Sequence, residues 1–291
     1  MNGWTLDDIE MPVPTEDLNI KNYRDALDDK GFVTEDINLL RDALIALTLS
    51  KNLLLRGPTG SGKTKLAESL AEKLRLPMES INCSVDLDAE ALLGFKTLVT
   101  DNGHSEIQFI EGPVVRAMRE GHLLYIDEIN MARPETLPIL NSILDYRRQL
   151  TNPFTAETVV AHPRFRVIAA INEGYVGTLP MNEALRNRFI VIDVPYLSGA
   201  PLKALIEART QLGNEQVINQ FVALSADIVA ATKVGEVSEE AASIRALLDA
   251  CDLAAYIPAL RAVARAIAAK LDDEREKTVV MNLAETYFTQ A

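Results

Sequence analysis

The sequence predicts an α/β fold: a parallel sheet covered by helices on both faces, followed by an all-helical C-terminal stretch. Three observations carry this. Short apolar runs alternate with amphipathic helical segments between residues 52 and 194. Those runs read as buried on both faces rather than alternating, as parallel strands do. From Leu202 onward no strand pattern recurs, and alanine and leucine repeat at helical spacing in about four helices.

In chain order, residues 1–36 are acidic with scattered prolines and are expected to form an arm and a first helix near Tyr23–Asp29. Trp4 in this arm is expected to tether it to the rest of the protein. Thr34 is a candidate N-cap for a helix reaching Leu49, with Ile37, Leu40, Leu44, Ile45 and Leu47 on one buried face. Asn52-Leu53-Leu54-Leu55 reads as the first strand. The stretch Gly57-Pro58-Thr59-Gly60-Ser61-Gly62-Lys63-Thr64 follows it, and Leu66, Ala67, Leu70, Ala71 and Leu74 then recur at helical spacing.

This strand, glycine loop and helix match the G-x-x-x-x-G-K-[ST] phosphate-binding pattern. Glycines let successive N–H groups turn toward a phosphate, and the helix N-terminus adds partial positive charge. Lys63 is then expected to reach the β- and γ-phosphates of ATP, and the Thr64 hydroxyl to ligate Mg2+.

Pro77 breaks the chain, and Met78–Ile81 reads as the second strand. Asp88 caps a short helix from Ala89 that stops at Gly94. Phe95–Val99 and Ile107–Ile110 flank Asn102-Gly103, a strong hairpin turn. Helix resumes after Gly112-Pro113 and runs over Val114–Glu120, so a hairpin interrupts a helix. His122–Ile126 is the third strand and ends in Asp127-Glu128, with a helix expected over Pro134–Tyr146. A second hairpin spans Gln149–Val160. Phe165–Ile171 is the fourth strand, ending at Asn172, and Ile190–Val194 is the fifth. The domain boundary is placed at Tyr196–Pro201, where Ser198-Gly199 supplies a hinge.

Asp127 and Glu128 supply the second half of a nucleotide hydrolase site. An acid at the strand tip holds Mg2+ and its neighbour polarises the attacking water.

Composition narrows the function classes. Forty-eight per cent hydrophobic and 24% charged residues describe a soluble globular protein. The N-terminus lacks a signal-peptide layout and no run is long enough for a membrane span, so the cytoplasm is the expected compartment. A net charge of −13 opposes direct nucleic-acid binding. The basic pair Arg147-Arg148 reads instead as nucleotide-site or interface residues. Cys83 and Cys251 are too few for a disulfide framework or zinc site, and Cys83 is expected in the core. His104, His122 and His162 do not cluster and are read as structural or surface residues.

On GPTGSGKT (57–64), EGPVVRAMREG (111–121), LLYIDEIN (123–130), LDYRRQL (144–150), AHPRFRVIAAIN (161–172) and ALRNRF (184–189), the chain resembles the AAA+ ATPases, specifically the MoxR branch with its CbbQ/NorQ-type members. The likeness covers about Leu53 to Tyr196. It implies a five-stranded core sheet in the order 5-1-4-3-2 with an α-helical lid. The core would span 37–197, with a helix-2 insert hairpin at about 94–112 and a pre-sensor-1 hairpin at about 149–160, and the lid 198–291. By the same resemblance Asn172 is sensor 1, Arg188 or Arg186 the arginine finger of a neighbouring subunit, and Arg245 the sensor-2 residue. Glu173-Gly174-Tyr175 departs from the N-P-G-Y of several relatives.

The resemblance further implies a homo-oligomeric ring, most simply a hexamer, that remodels a client complex with a von Willebrand factor A-domain partner. Two other readings compete. One is a McrB-like NTPase subunit of a nucleic-acid-linked system, which the acidic charge opposes. The other is a nucleotide-gated scaffold, opposed by the intact Lys63, Asp127, Glu128 and Asn172.

Overall fold

The computed structural model describes Thr5 and residues 31–83, 87–101, 104–172 and 181–288. The expected helix near Tyr23–Asp29, Trp4, the Asn102-Gly103 turn and Glu173-Gly174-Tyr175 lie outside the described residues.

Five parallel strands form the central sheet: β1 (Asn52–Gly57), β2 (Met78–Asn82), β5 (Leu123–Asp127), β8 (Arg166–Asn172) and β9 (Phe189–Asp193). Their spatial order is β2-β5-β8-β1-β9. Counting only these five in chain order, this is 5-1-4-3-2 read from the β9 edge, as expected. The sheet is buried on both sides, which explains the unbroken apolar runs. Leu54, Leu124, Ile126, Val167 and Ala169 face one core. Their neighbours Leu53, Leu55, Leu123, Tyr125 and Ile168 face the other. Helices α1 (Ile37–Thr48) and α2 (Lys63–Lys73) cover the second face. The first is covered by α3 (Ala89–Leu93), α4 (Pro113–Glu120) and α5 (Leu137–Leu144).

Several local expectations change. The N-cap of α1 is Asp36, whose carboxylate accepts from Asn38 N–H at 2.9 Å. Thr34 is buried and its hydroxyl accepts from Asp36 N–H, so it supports the cap from two residues earlier. Ile45 is exposed, because the buried stripe runs through Ala43, Leu44, Ala46 and Leu47. The helix expected over Pro134–Tyr146 is shorter, since a 3-10 turn at Ile129–Met131 and a turn through Thr136 precede α5. A four-residue helix α6 (Glu183–Arg186), capped by Asn182, was not foreseen. The C-terminal region holds five α-helices among the described residues rather than four: α7 (Gly199–Arg209), α8 (Glu215–Lys233), α9 (Ile244–Ala254), α10 (Ala259–Ala266) and α11 (Glu274–Phe288). They enclose a core of their own around Phe221, Leu224, Leu247 and Val263.

Arg148 does not approach the nucleotide pocket described below. Its guanidinium donates to Phe165 O at 2.6 Å and to Asn52 Oδ1 at 3.2 Å, at the opposite ends of the strands. There it ties together the starts of β1 and β8. Arg147 is exposed and pairs with Asp145.

The inserted hairpin is built as expected. Asp88 caps α3 by accepting from Ala91 N–H at 2.8 Å. Strands β3 (Gly94–Asp101) and β4 (His104–Glu111) pair from Gly94↔Glu111 to Asp101↔His104, and Pro113 then opens α4. The second hairpin is smaller, β6 (Gln149–Thr151) against β7 (Thr158–Val160). At the root of the first, Gly94 has φ +113°, and a Cβ there would lie 2.1 Å from Ile110 O. Gly94→Ala is therefore expected to cost about 2 kcal/mol or more in urea unfolding. An unchanged midpoint would show that the junction tolerates a side chain.

Candidate active site

The parallel register brings the functional residues to one edge of the sheet. Gly57 lies opposite Asn172, and Asn82 opposite Asp127, all at the C-terminal ends of their strands. Ligands of open parallel sheets bind there. A cavity of about 590 Å³ opens at this edge, large enough for a nucleotide. The phosphate loop from Thr59 to Thr64, Asp127, Glu128 and Asn172 line it from the sheet side.

Within the loop, Gly60 has φ +76°, and a Cβ there would lie 2.5 Å from Ser243 Oγ of the C-terminal region. The turn therefore needs glycine for both conformation and contact. Lys63 is buried, and its ammonium donates to Gly57 O at 2.9 Å and Pro58 O at 2.7 Å. Burial pulls its pKa down to about 8, against the opposing pull of Asp127, Glu239 and Glu128.

Asp127 and Glu128 sit at the tip of β5 and just beyond it. Burial, and then the neighbouring Glu128 charge, push the Asp127 carboxyl above its ordinary value. Glu128 adopts a left-handed backbone with φ 50°, unusual for a non-glycine residue. Its N–H donates to Asp127 Oδ1 at 3.0 Å, and its Oε1 accepts from Asn172 Nδ2 at 3.1 Å. The pair is thus splayed: Asp127 stays near the loop, and Glu128 is held by the strand-end asparagine.

The Thr64 hydroxyl lies 3.1 Å from the Tyr125 hydroxyl, and Asp127 follows two residues later on the same strand. A hydroxyl and a carboxylate lining one cavity suit a hard divalent cation that completes its shell with phosphate oxygens and water. Among the described residues no group of three or more His, Cys, Asp or Glu side chains could hold a metal by itself. The buried Ser61 hydroxyl in the same loop has no hydrogen-bond partner. These residues fit Mg2+ delivered with a nucleotide. Thr64 and Asp127 would hold it, and bound there it would neutralise phosphate charge.

The C-terminal helices close the other wall. Arg245, expected as sensor 2, is exposed and lines the cavity from the first turn of α9. Arg186 and Arg188 do not line it. Arg186 is exposed, and Arg188, in the turn after α6, donates back to Ala184 O. Sequence reasoning missed several lining residues. Gly31-Phe32-Val33 contribute to the wall, with Phe32 N–H donating to Ser69 Oγ at 2.8 Å. Arg209 and Asp252 contribute from the C-terminal side. The carboxylate of Glu239 accepts from Thr59 N–H at 3.3 Å, reaching the phosphate loop from 180 residues away. None of these carries a local motif; helical spacing alone could not assign them to a pocket.

Cys83 and Cys251 are free and buried, and burial pushes each thiol up to about 12. His122 is enclosed by Glu79 at 3.3 Å and Glu120 at 3.1 Å, whereas His162 accepts from Arg164 N–H. His122 is buried and His162 is exposed. The side chain of His104 lies outside the described residues.

Residues 52–189 match the AAA domain (dynein-related subfamily). The chain belongs to the AAA+ ATPases. The uncharacterized protein YojN of Bacillus subtilis is 57% identical to this AAA+ chain over 96% of it and 90% of YojN. An uncharacterized protein of Staphylococcus epidermidis is 60% identical over 88% of the chain and 98% of its own length. Among solved structures, NtrX from Brucella abortus is similar over 92% of this chain and 53% of that one, at 16% identity and TM-score 0.46.

Phosphate entering the loop would restore favourable charge to the Lys63 ammonium. Nucleotide binding at pH 8.5 is therefore expected to take up roughly half a proton or more, as a pKa near 8 rises on binding. Calorimetry in buffers of different ionisation enthalpy measures this, and Lys63→Met should abolish it. The sign also holds for folding. The folded-state pKa is depressed, so the burial penalty applies below pH 8 and is relieved between pH 8 and about 10.4.

Proposed function

We propose that this AAA+ chain hydrolyses ATP with Mg2+ in a homo-oligomeric ring and uses the cycle to remodel or activate a client protein complex. The observation that carries the reading is the hydrogen bond between Asn172 and Glu128 at the end of a cavity lined by the phosphate loop. Glu128 is the general base that orients water, and Asn172 fixes its carboxylate and faces the γ-phosphate. Lys63 and the loop amides bind the β- and γ-phosphates. The core of about 37–197 and the helical lid of 198–291 move relative to one another as the nucleotide changes.

The position of Arg186 and Arg188 outside their own chain's cavity supports a finger supplied to a neighbour. Charge on the transferring phosphoryl group requires a cation from somewhere, and Arg188 is the stronger candidate. Sensor 2 is Arg245, which lines the cavity from the lid. By the likeness of its two hairpins to the MoxR branch, the partner class is a von Willebrand factor A-domain protein, in the cytoplasm, with a hexamer as the simplest ring. Exposed Phe95, Leu98 and Ile107 on the first hairpin give such a partner an apolar surface. Among the described residues no helix is long and apolar enough to cross a membrane.

Phosphate release tests the reading. Glu128→Gln should bind ATP with near-normal affinity and lose about three orders of magnitude in turnover; near-normal turnover would assign the base elsewhere. Arg188→Ala should lose a similar factor while keeping ATP binding, and specific activity of the unmodified chain should rise with its concentration. Mixing Arg188→Ala with Lys63→Ala should restore part of the rate, since a mixed ring holds some intact interfaces. No rescue and a concentration-independent rate would point to a monomeric switch.

A further inference from the structure

We infer that Glu239 is an internal competitor for the phosphate loop: its carboxylate holds a loop amide, and nucleotide phosphate must displace it. This deepens the proposed function and rests on its assignment of the 57–64 loop as the phosphate site.

The contact joins two distant parts of the chain. Thr59 N–H donates to Glu239 Oε2 at 3.3 Å, and both residues are half-buried. The turn that carries Glu239 is anchored on the C-terminal core by buried Val237, Ala241 and Ala242. The Glu239 carbonyl accepts from Ala242 N–H at 3.1 Å and from the Tyr196 hydroxyl at 3.4 Å. On one side, Ser238 donates to Glu276 through its N–H at 3.0 Å and its hydroxyl at 2.6 Å. On the other, Ser243 packs so closely that a Cβ on Gly60 would lie 2.5 Å from its Oγ. The turn is therefore seated on the loop at two neighbouring points, Thr59 and Gly60.

The Pro58–Thr59 peptide couples this contact to Lys63. Its oxygen accepts from Lys63 Nζ at 2.7 Å, and its N–H is the one that Glu239 holds. A cation on the carbonyl polarises the peptide and strengthens its N–H as a donor. When the lysine turns to a phosphate it gives up that carbonyl, and the Glu239 bond loses this support. The phosphate also brings negative charge toward a carboxylate in a partly desolvated site, where like charges repel more strongly than in water. Both effects act in the same direction. By linkage, the contact lowers nucleotide affinity by the same factor with which nucleotide weakens the contact.

The experiment uses the full chain and a fluorescent, non-hydrolysable ATP analogue at fixed MgCl2. Glu239→Gln keeps the shape and removes the charge, and is expected to bind the analogue about tenfold more tightly. Glu239→Ala, which removes the acceptor as well, should gain at least as much, so one variant serves if thermal melting shows the other unfolded. Glu236→Gln, at an exposed acid three residues earlier, should change affinity less than about twofold. Inorganic tripolyphosphate, competing with the analogue, should gain the same factor in the Glu239 variants, because it carries phosphates without a base.

Unchanged or weaker binding in Glu239→Gln overturns the inference. An equal gain in Glu236→Gln overturns it as well, by making the effect one of overall charge. So does a gain seen for the nucleotide and absent for tripolyphosphate, which would place the effect away from the phosphates. If both Glu239 variants are unfolded, Glu239 is a brace of the C-terminal region and the inference fails. If neither the analogue nor tripolyphosphate binds the wild-type chain, the phosphate-loop assignment itself fails, and that failure is visible before any variant is made.

Discussion

The register of the parallel sheet is the constraint on which the site depends. Leu53 to Gly57 pair with Ile168 to Asn172 on one side, and Asn52 to Arg56 with Phe189 to Asp193 on the other. Strand β1 is thus held along its length on both edges, and the loop leaving it has a fixed origin. A slip of one residue would exchange every side chain between the two cores. With Leu, Ile and Val on both faces, hydrophobicity alone would weakly oppose such a slip. The polar strand ends supply what the apolar residues cannot. Asn172 meets Glu128 only at the observed register.

Electrostatics at that edge is dominated by burial rather than by pairing. Lys63 has three carboxylates nearby, yet desolvation prevails and its ammonium turns back onto loop carbonyls. Asp127 is likewise pushed up mainly by burial, despite Lys63 and Tyr125. A cavity that penalises both signs of charge suits a ligand bringing both phosphate and cation. Glu239 adds to this by offering its carboxylate to a loop amide, so the C-terminal helices sense the same small set of N–H groups.

Much of this was legible in the sequence, for identifiable reasons. Gly60, Lys63 and Thr64 announce themselves because the backbone turn and the chemistry share one contiguous stretch. The five strands are readable because burial on both faces removes polar interruptions, and Gly94 with Pro113 brackets the inserted hairpin. What was not legible arrives through tertiary contact. Glu239 and Arg209 lie on or beside ordinary amphipathic helices, and Phe32 precedes the loop by 25 residues or more without any motif. Of the two readings of Arg148, the nucleotide-site one fails because it lies away from the cavity, and the backbone carbonyls it binds leave no sequence signal. The N-cap of α1 shifted from Thr34 to Asp36 because both are good caps, and packing chose between them.

The inserted hairpin leaves and rejoins the core at paired residues, Gly94 and Glu111. Its two ends therefore meet at nearly one point, and its length is mechanically uncoupled from the sheet beneath. Adding one residue to each strand would extend the tip by about 3.4 Å and reverse which face the terminal side chains present. Adding two would extend it by about 7 Å and preserve the faces. Such an arm can lengthen or shorten over evolutionary time in quantised steps while α3, α4 and the cavity-lining edge of the sheet stay fixed. Reach and catalysis are separately adjustable traits in this architecture, and divergence in one leaves no mark on the other.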